Sequence, residues 1–217
     1  MMKMNKKNTI IFDMDGVIFD SEATYMQELI NFFKMYNIHL TIDDCKKVIG
    51  VDSRLFNDIA YSWWQNKTSK EEFIKILDNY YESIKRDYKA ILNPHVISLL
   101  KYLKENHYKI ALASSSSQQL IHRALTTSGI IEYFDLIISG NAFQQSKPNP
   151  EIYLYTIEKL NVSKEQTLIV EDSTPGIEAA NRAGIDVIAI KDYRFSIDQS
   201  HADYIIDDII EVKKYLK

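Results

Sequence analysis

Two aspartates spaced two apart, Asp13 and Asp15, end one short apolar run, and a second acid pair, Glu171 and Asp172, ends another. Neighbouring carboxylates repel, and a hard cation with oxygen ligands offsets that repulsion; Mg²⁺ fits best, because it takes a few carboxylates together with a phosphate oxygen. Between the acid pairs, Ser114 follows a third apolar run within the serine row 114–117, and Lys147 follows a fourth after a short loop. The Ser114 hydroxyl, the backbone N–H groups of Ser115 and Ser116 and the Lys147 ammonium are donors for an anion, and the helix expected after the serines would point its N-terminus at it. A carboxylate nucleophile, an anion cradle and a cation together make phosphoryl transfer. One aspartate would attack phosphorus; the other would protonate the leaving alkoxide and then activate water. Ser114 has a second use, as the cap of the following helix.

The elements that must position these groups are read from continuous Ile/Val/Leu runs: TIIF (9–12), KIALA (109–113), DLIIS (135–139), TLIV (167–170) and DVIAI (186–190). Continuous rather than alternating apolar runs belong to strands covered on both faces. Helical periodicity fills roughly 94–106, 117–128, 150–161 and 174–183, with Gly129 and Gly184 at expected helix ends. Alternating strands and helices predict an α/β fold, a doubly wound, Rossmann-like parallel sheet. A short edge strand at 203–207 and a helix to Lys217 follow. All four polar clusters then lie just past the carboxyl ends of strands, where open α/β sheets bind ligands.

Residues 21–90 break the rhythm. They hold no convincing strand, so the organisation expected is a catalytic core of 1–20 and 91–217 with a helical domain of 21–90 inserted. Ser21 is a candidate cap for a helix to about Asn37, with Tyr25, Met26, Leu29, Ile30 and Phe33 on one face. Ser69-Lys70-Glu71-Glu72 matches a capping box ahead of a helix to about Tyr88. Tyr25, Tyr36, Trp63, Trp64, Tyr80 and Tyr81 read as packing residues; Arg54 either reaches a substrate anion or is a solvated residue at a helix start.

Composition narrows the classes. A net charge of −4 gives no basic field for nucleic acid. Cys45 is the only cysteine, which excludes an internal disulfide and fits a reducing compartment. No stretch approaches the ~18 apolar residues of a membrane span, and the basic start MMKMNKKNT lacks the apolar core of a secretory signal. The expected location is the cytoplasm. The five histidines show no metal-ligand spacing.

In this order, DMDGVIFDSE (13–22), KIALAS, SKPNPEIY (146–153) and VEDSTPGIEAA (170–180) resemble the four motifs of the haloacid dehalogenase-like hydrolases. More narrowly they resemble the phosphatase and beta-phosphoglucomutase group, with a helical cap inserted after the first motif. The resemblance spans most of 8–190. Dehalogenases lack the second acid of the first motif, so Asp15 points to phosphate chemistry. By position, the resemblance implies Asp13 as nucleophile and metal ligand, and Asp15 as general acid/base that also binds the metal through its backbone carbonyl. Ser114, Ser115 and Lys147 would hold the phosphoryl group, and Asp172 would complete the Mg²⁺ site with Glu171, directly or through water. Glu22 would lie at the start of the cap, facing the cleft. Tyr25 stands near the histidine of the mutases, Ile49 where they carry lysine, and Ser53 or Arg54 near their arginine. These departures favour a phosphatase for a small phosphorylated metabolite over a phosphomutase. A non-catalytic phospho-acceptor is the third reading.

Overall fold

The computed structural model describes residues 6–49, 51, 53–65 and 68–216; Gly50 and Asp52 of the IGVDSR stretch lie outside them. The chain divides into two compact units. One takes in the chain up to Asp20 and again from Tyr88, and the other is Ser21–Asp87.

The first unit begins with β1 (Thr9–Phe12). In the second, the described residues form four helices: α1 (Glu22–Met35), α2 (Ile42–Lys46), α3 (Ser53–Trp63) and α4 (Lys70–Ser83). The first unit resumes with α5 (Val96–Glu105), β2 (Lys109–Ser114), α6 (Gln118–Ser128), β3 (Leu136–Ser139), α7 (Glu151–Leu160), β4 (Thr167–Glu171), α8 (Thr174–Ala183), β5 (Asp186–Ile190) and β6 (Tyr204–Ile206). These strands form one sheet in the order β3-β2-β1-β4-β5-β6, paired in parallel throughout. The chain moves outward from β1 to β3, then returns to the other side of β1 at β4. The switch point lies between these two central strands, and their carboxyl ends carry the two acid pairs.

Side-chain alternation sorts the sheet into two faces. Ile10, Phe12, Leu112, Leu168, Val170 and Ile188 pack with Leu99, Leu103 and Ile121 of α5 and α6. Ile11, Ala111, Ala113, Ile169 and Val187 pack with Ile152, Tyr153, Ile177 and Ala180 of α7 and α8. Both faces are therefore covered, and every residue of β1 and β4 is buried. That double burial is why the strands read as unbroken apolar runs.

Three expectations need correction. Ser21 makes no side-chain cap to α1; its φ of −91° and ψ of −22° are already helical, whereas a capping side chain needs extended backbone to reach the free N–H groups. The last helix ends at Ser83 rather than near Tyr88. Beyond it Arg86 turns back to α1, where its Nε and a terminal nitrogen donate to Glu28 at 2.8 and 2.6 Å, both side chains largely buried. Arg86 also lies over the rings of Tyr25 and Tyr81, so continuing the helix would strand the Glu28 carboxylate without its partner. The C-terminal segment Ile209–Tyr215 is a 3-10 helix, not an α-helix. Ile209, Val212 and Tyr215 recur every third residue, the period that puts all three on one side of a 3-10 turn.

The second unit is held by aromatic contacts: Phe32 stacks on Trp64 with centroids 5.8 Å apart, and Phe33 and Phe73 close around the pair. The Trp64 Nε1–H donates to Thr68. Tyr36, Tyr80 and Trp63 join the same ring contacts. Among the described residues, no helix is long and apolar enough to cross a membrane.

Candidate active site

β1 ends at Phe12, and Asp13 N–H still donates to Val170 of β4, so the Asp13 side chain leaves the sheet beside the end of β4. A tight turn follows. Gly16 has φ +77° and its N–H donates to Phe19 O, while Ile18 and Phe19 N–H both donate to Met14 O. A Cβ on Gly16 would fall 1.9 Å from Asp172 Oδ2, so the bare glycine lets the β1 turn and the β4 turn close on each other. Asn93 fastens the turn from outside, its Nδ2 donating to Gly16 O and Val17 O.

Lys147, carried on the loop after β3, is the centre of the site. Its Nζ donates to Asp13 Oδ1 at 2.5 Å, to Glu171 Oε1 at 2.7 Å and to Ala113 O at 3.2 Å. The Lys147–Pro148 peptide bond is cis. Glu171 is fully buried and receives four more hydrogen bonds. These come from Tyr153 OH at 2.6 Å, from Asp172 N–H and Ser173 N–H, and from the Ser173 hydroxyl. Gly176 of α8 backs directly onto the Glu171 carboxylate, where any side chain would collide with it.

These contacts divide the charge. Burial pushes the Asp13 carboxyl up to about 7, because the single ammonium beside it does not make up for lost hydration and the nearby Glu171 and Asp15 charges oppose it. Burial also works against Glu171, yet the Lys147 charge and its surrounding donors hold its pKa below the ordinary range. Lys147 is buried too, and its two carboxylates hold it firmly protonated. Glu171 and Lys147 form the settled ion pair; Asp13 carries the surplus negative charge.

Asp13, Glu171 and Asp172 each offer an oxygen, all within 4.8 Å of one another. Lys147 bonds two of these acids, Asp13 and Glu171, and the three-carboxylate donor set has the hard-oxygen chemistry that fits a divalent cation. On the other side, the Ser116 hydroxyl donates to Asp15 Oδ2 at 2.9 Å. Ser114 Oγ accepts from Ser116 N–H at 3.1 Å, while Ser117 is the side chain that caps α6.

The structure thus gathers Asp13, Lys147, Glu171 and Asp172, with Asp15 joined to the serine row through Ser116. Glu22, Tyr25 and Arg54 belong to the second unit: Glu22 opens α1, Tyr25 is covered by Arg86, and Arg54 is exposed on α3. The Ser116 backbone was expected as an anion donor, but the bond of its hydroxyl to Asp15 was not. Tyr153, though inside the SKPNPEIY motif, and Asn93 were missed as site residues. Tyr153→Phe keeps the ring and removes one donor to a buried carboxylate; the expected loss is about 2 kcal/mol in urea unfolding, with the fold retained.

A parallel α/β sheet with a carboxylate-lysine cluster at its switch point is a ligand-binding core of the doubly wound class. The chain belongs to the haloacid dehalogenase-like hydrolases, whose family profile matches residues 10–190. It is 36% identical over 181 residues to the phosphorylated carbohydrates phosphatase of Thermotoga maritima, covering 82% of each chain. It is 30% identical over 176 residues to the phosphoglycolate phosphatase of Aquifex aeolicus, covering 81% of this chain and 80% of that one. Its fold matches the beta-phosphoglucomutase of Clostridium difficile with a TM-score of 0.79 at 24% identity, over 97% of both chains.

Proposed function

We propose that the protein is a Mg²⁺-dependent phosphatase of the cytoplasm that hydrolyses a small phosphorylated metabolite, of the sugar-phosphate kind, through an aspartyl-phosphate. The observation that carries this reading is the Asp13–Lys147–Glu171 arrangement: a carboxylate ringed by negative charge and held by one ammonium at the sheet's switch point. The phosphatase names and carbohydrate substrates of its relatives support it.

An Asp13 oxygen attacks phosphorus as the bond to the leaving oxygen breaks, and Asp15 gives that oxygen its proton. Asp15, now a carboxylate, takes a proton from the water that attacks phosphorus next, releasing phosphate and restoring Asp13. Ser114, Ser115 and Lys147 hold the phosphoryl oxygens, and Ser116 fixes the Asp15 carboxyl. Glu171 keeps Lys147 charged and aimed. Asp13, Asp172 and the Asp15 carbonyl would hold Mg²⁺, with Glu171 behind them, and the cation would supply charge neutralisation for the transferring group. Glu22, Tyr25 and Arg54 are proposed as substrate-side residues of a cap.

The test is a panel of phosphorylated metabolites, including beta-glucose 1-phosphate, assayed for free phosphate and for isomerised product. Phosphate release that needs Mg²⁺ and is lost with EDTA is expected. Glucose 6-phosphate formed without comparable phosphate release, and dependent on glucose 1,6-bisphosphate, would make the protein a mutase.

A further inference from the structure

The loop between β5 and β6 contributes nothing to the site as described, yet it is bound to it. Gln199 is buried, with 6% of its surface exposed. Its Nε2 donates to Asp172 O and to Ile190 O, each at 2.6 Å, and its Oε1 accepts from Asp192 N–H at 3.1 Å. Only a primary amide meets that demand: two N–H bonds on one nitrogen for two carbonyls, and an oxygen for an amide N–H. A second strut lies beside it, the Thr174 hydroxyl donating to Asp198 O at 2.7 Å. The residues on either side of Ser173, which opens α8, are therefore both tied to this loop. Asp172 has its carboxylate against Gly16 on one side and its carbonyl held by Gln199 on the other.

The loop is itself rigidly wound. The Asp192 carboxylate accepts from the N–H groups of Arg194 and Phe195. Arg194 lies over the Phe195 ring and makes a two-pronged pair with Asp20, at 3.1 and 2.6 Å. Asp20 is the last residue of the first unit before the chain leaves it.

We propose that Gln199 is a positioning residue for the metal side of the reaction: it fixes the backbone of Asp172 so that the carboxylate meets the cation in one orientation. The inference rests on the Mg²⁺ reading above. Groups that orient a metal ligand from behind set affinity by about 10- to 100-fold. The loss expected in Gln199→Leu therefore falls on Mg²⁺ binding, weakened about tenfold or more, rather than on kcat at saturating Mg²⁺.

The experiment is calorimetric titration of Mg²⁺ into the whole wild-type protein, Gln199→Leu and Gln199→Met, with phosphate release measured against Mg²⁺ concentration. Gln199→Met keeps the unbranched length, adds no charge and cannot donate, so it serves if the leucine variant does not fold, and it is expected to weaken binding as well. Equal Mg²⁺ affinity in a folded variant and the wild type overturns the inference and leaves the phosphatase reading standing. A kcat that falls while Mg²⁺ affinity holds also overturns it, since that marks a merely structural role. Wild-type protein that binds no Mg²⁺ and releases no phosphate overturns both.

Discussion

Asp13→Asn is expected to lower phosphate release by at least about 10³-fold and, in EDTA at pH 8, to melt a few degrees higher than the wild type. The first effect follows from the loss of the proposed nucleophile, since an amide oxygen does not form the acyl phosphate. The second follows from the charge surplus. The Asp13 carboxyl has a pKa of about 7 in the folded chain against an ordinary value of 3.8. A group that binds its proton more tightly when folded makes stability fall as pH rises, here from about 4 to about 7. Asparagine carries no such penalty, and Lys147 keeps Glu171 as its partner. Thermal melts of both proteins between pH 5 and pH 8, with and without Mg²⁺, check this. The wild type is expected to gain more from Mg²⁺ than the variant, and equal melting curves at pH 8 in EDTA would count against the surplus-charge account.

Lys147→Met removes the one positive charge from between two buried carboxylates. Breaking a buried pair from one side costs about 3–5 kcal/mol, because the remaining charge has lost both water and partner. Here two charges are left, and Tyr153, Asp172 N–H and the Ser173 donors still serve Glu171 alone. Asp13 then ionises only at a higher pH. The destabilisation is therefore expected to be larger at pH 8 than at pH 5.5, where protons take the place of the ammonium. Urea unfolding at the two pH values measures it. Activity falls as well, since the same nitrogen that holds Asp13 is the one proposed to hold the phosphoryl group. A variant as stable as the wild type at pH 8 would mean that the carboxylates find another partner.

The sheet and the main acids were legible because burial leaves a plain record. Strands covered on both faces must be apolar without interruption, so a carboxylate at the end of such a run stands out, as Asp13 does just past β1 and Glu171 does as the buried last residue of β4. Lys147 was legible only through the order of its motif; nothing local separates it from a surface lysine. Tyr153 was hidden for the opposite reason. It sits on the apolar face of α7 beside Ile152 and Ile157, and its ring accounts for its place without its hydroxyl. Gln199 lies in a loop with no periodicity, and its three partners come from residues 172, 190 and 192, which the fold alone brings together. In the second unit, the helical pattern runs on past Ser83 in the sequence, while the Glu28–Arg86 pair that stops the helix joins residues far apart in the chain. Tertiary ion pairs of this kind leave no spacing to read.

The second unit leaves the core after Asp20, and the chain is back in place by Ile91, whose carbonyl accepts the Asp20 N–H at 2.7 Å. To the core, everything between is a loop whose ends are already stitched shut. Closure entropy grows only with the logarithm of loop length, so an insert of twice the size costs about 0.6 kcal/mol more. By closure entropy alone, an insert of another size could therefore stand at this seam while the carboxylates and their lysine stay where the parallel sheet puts them.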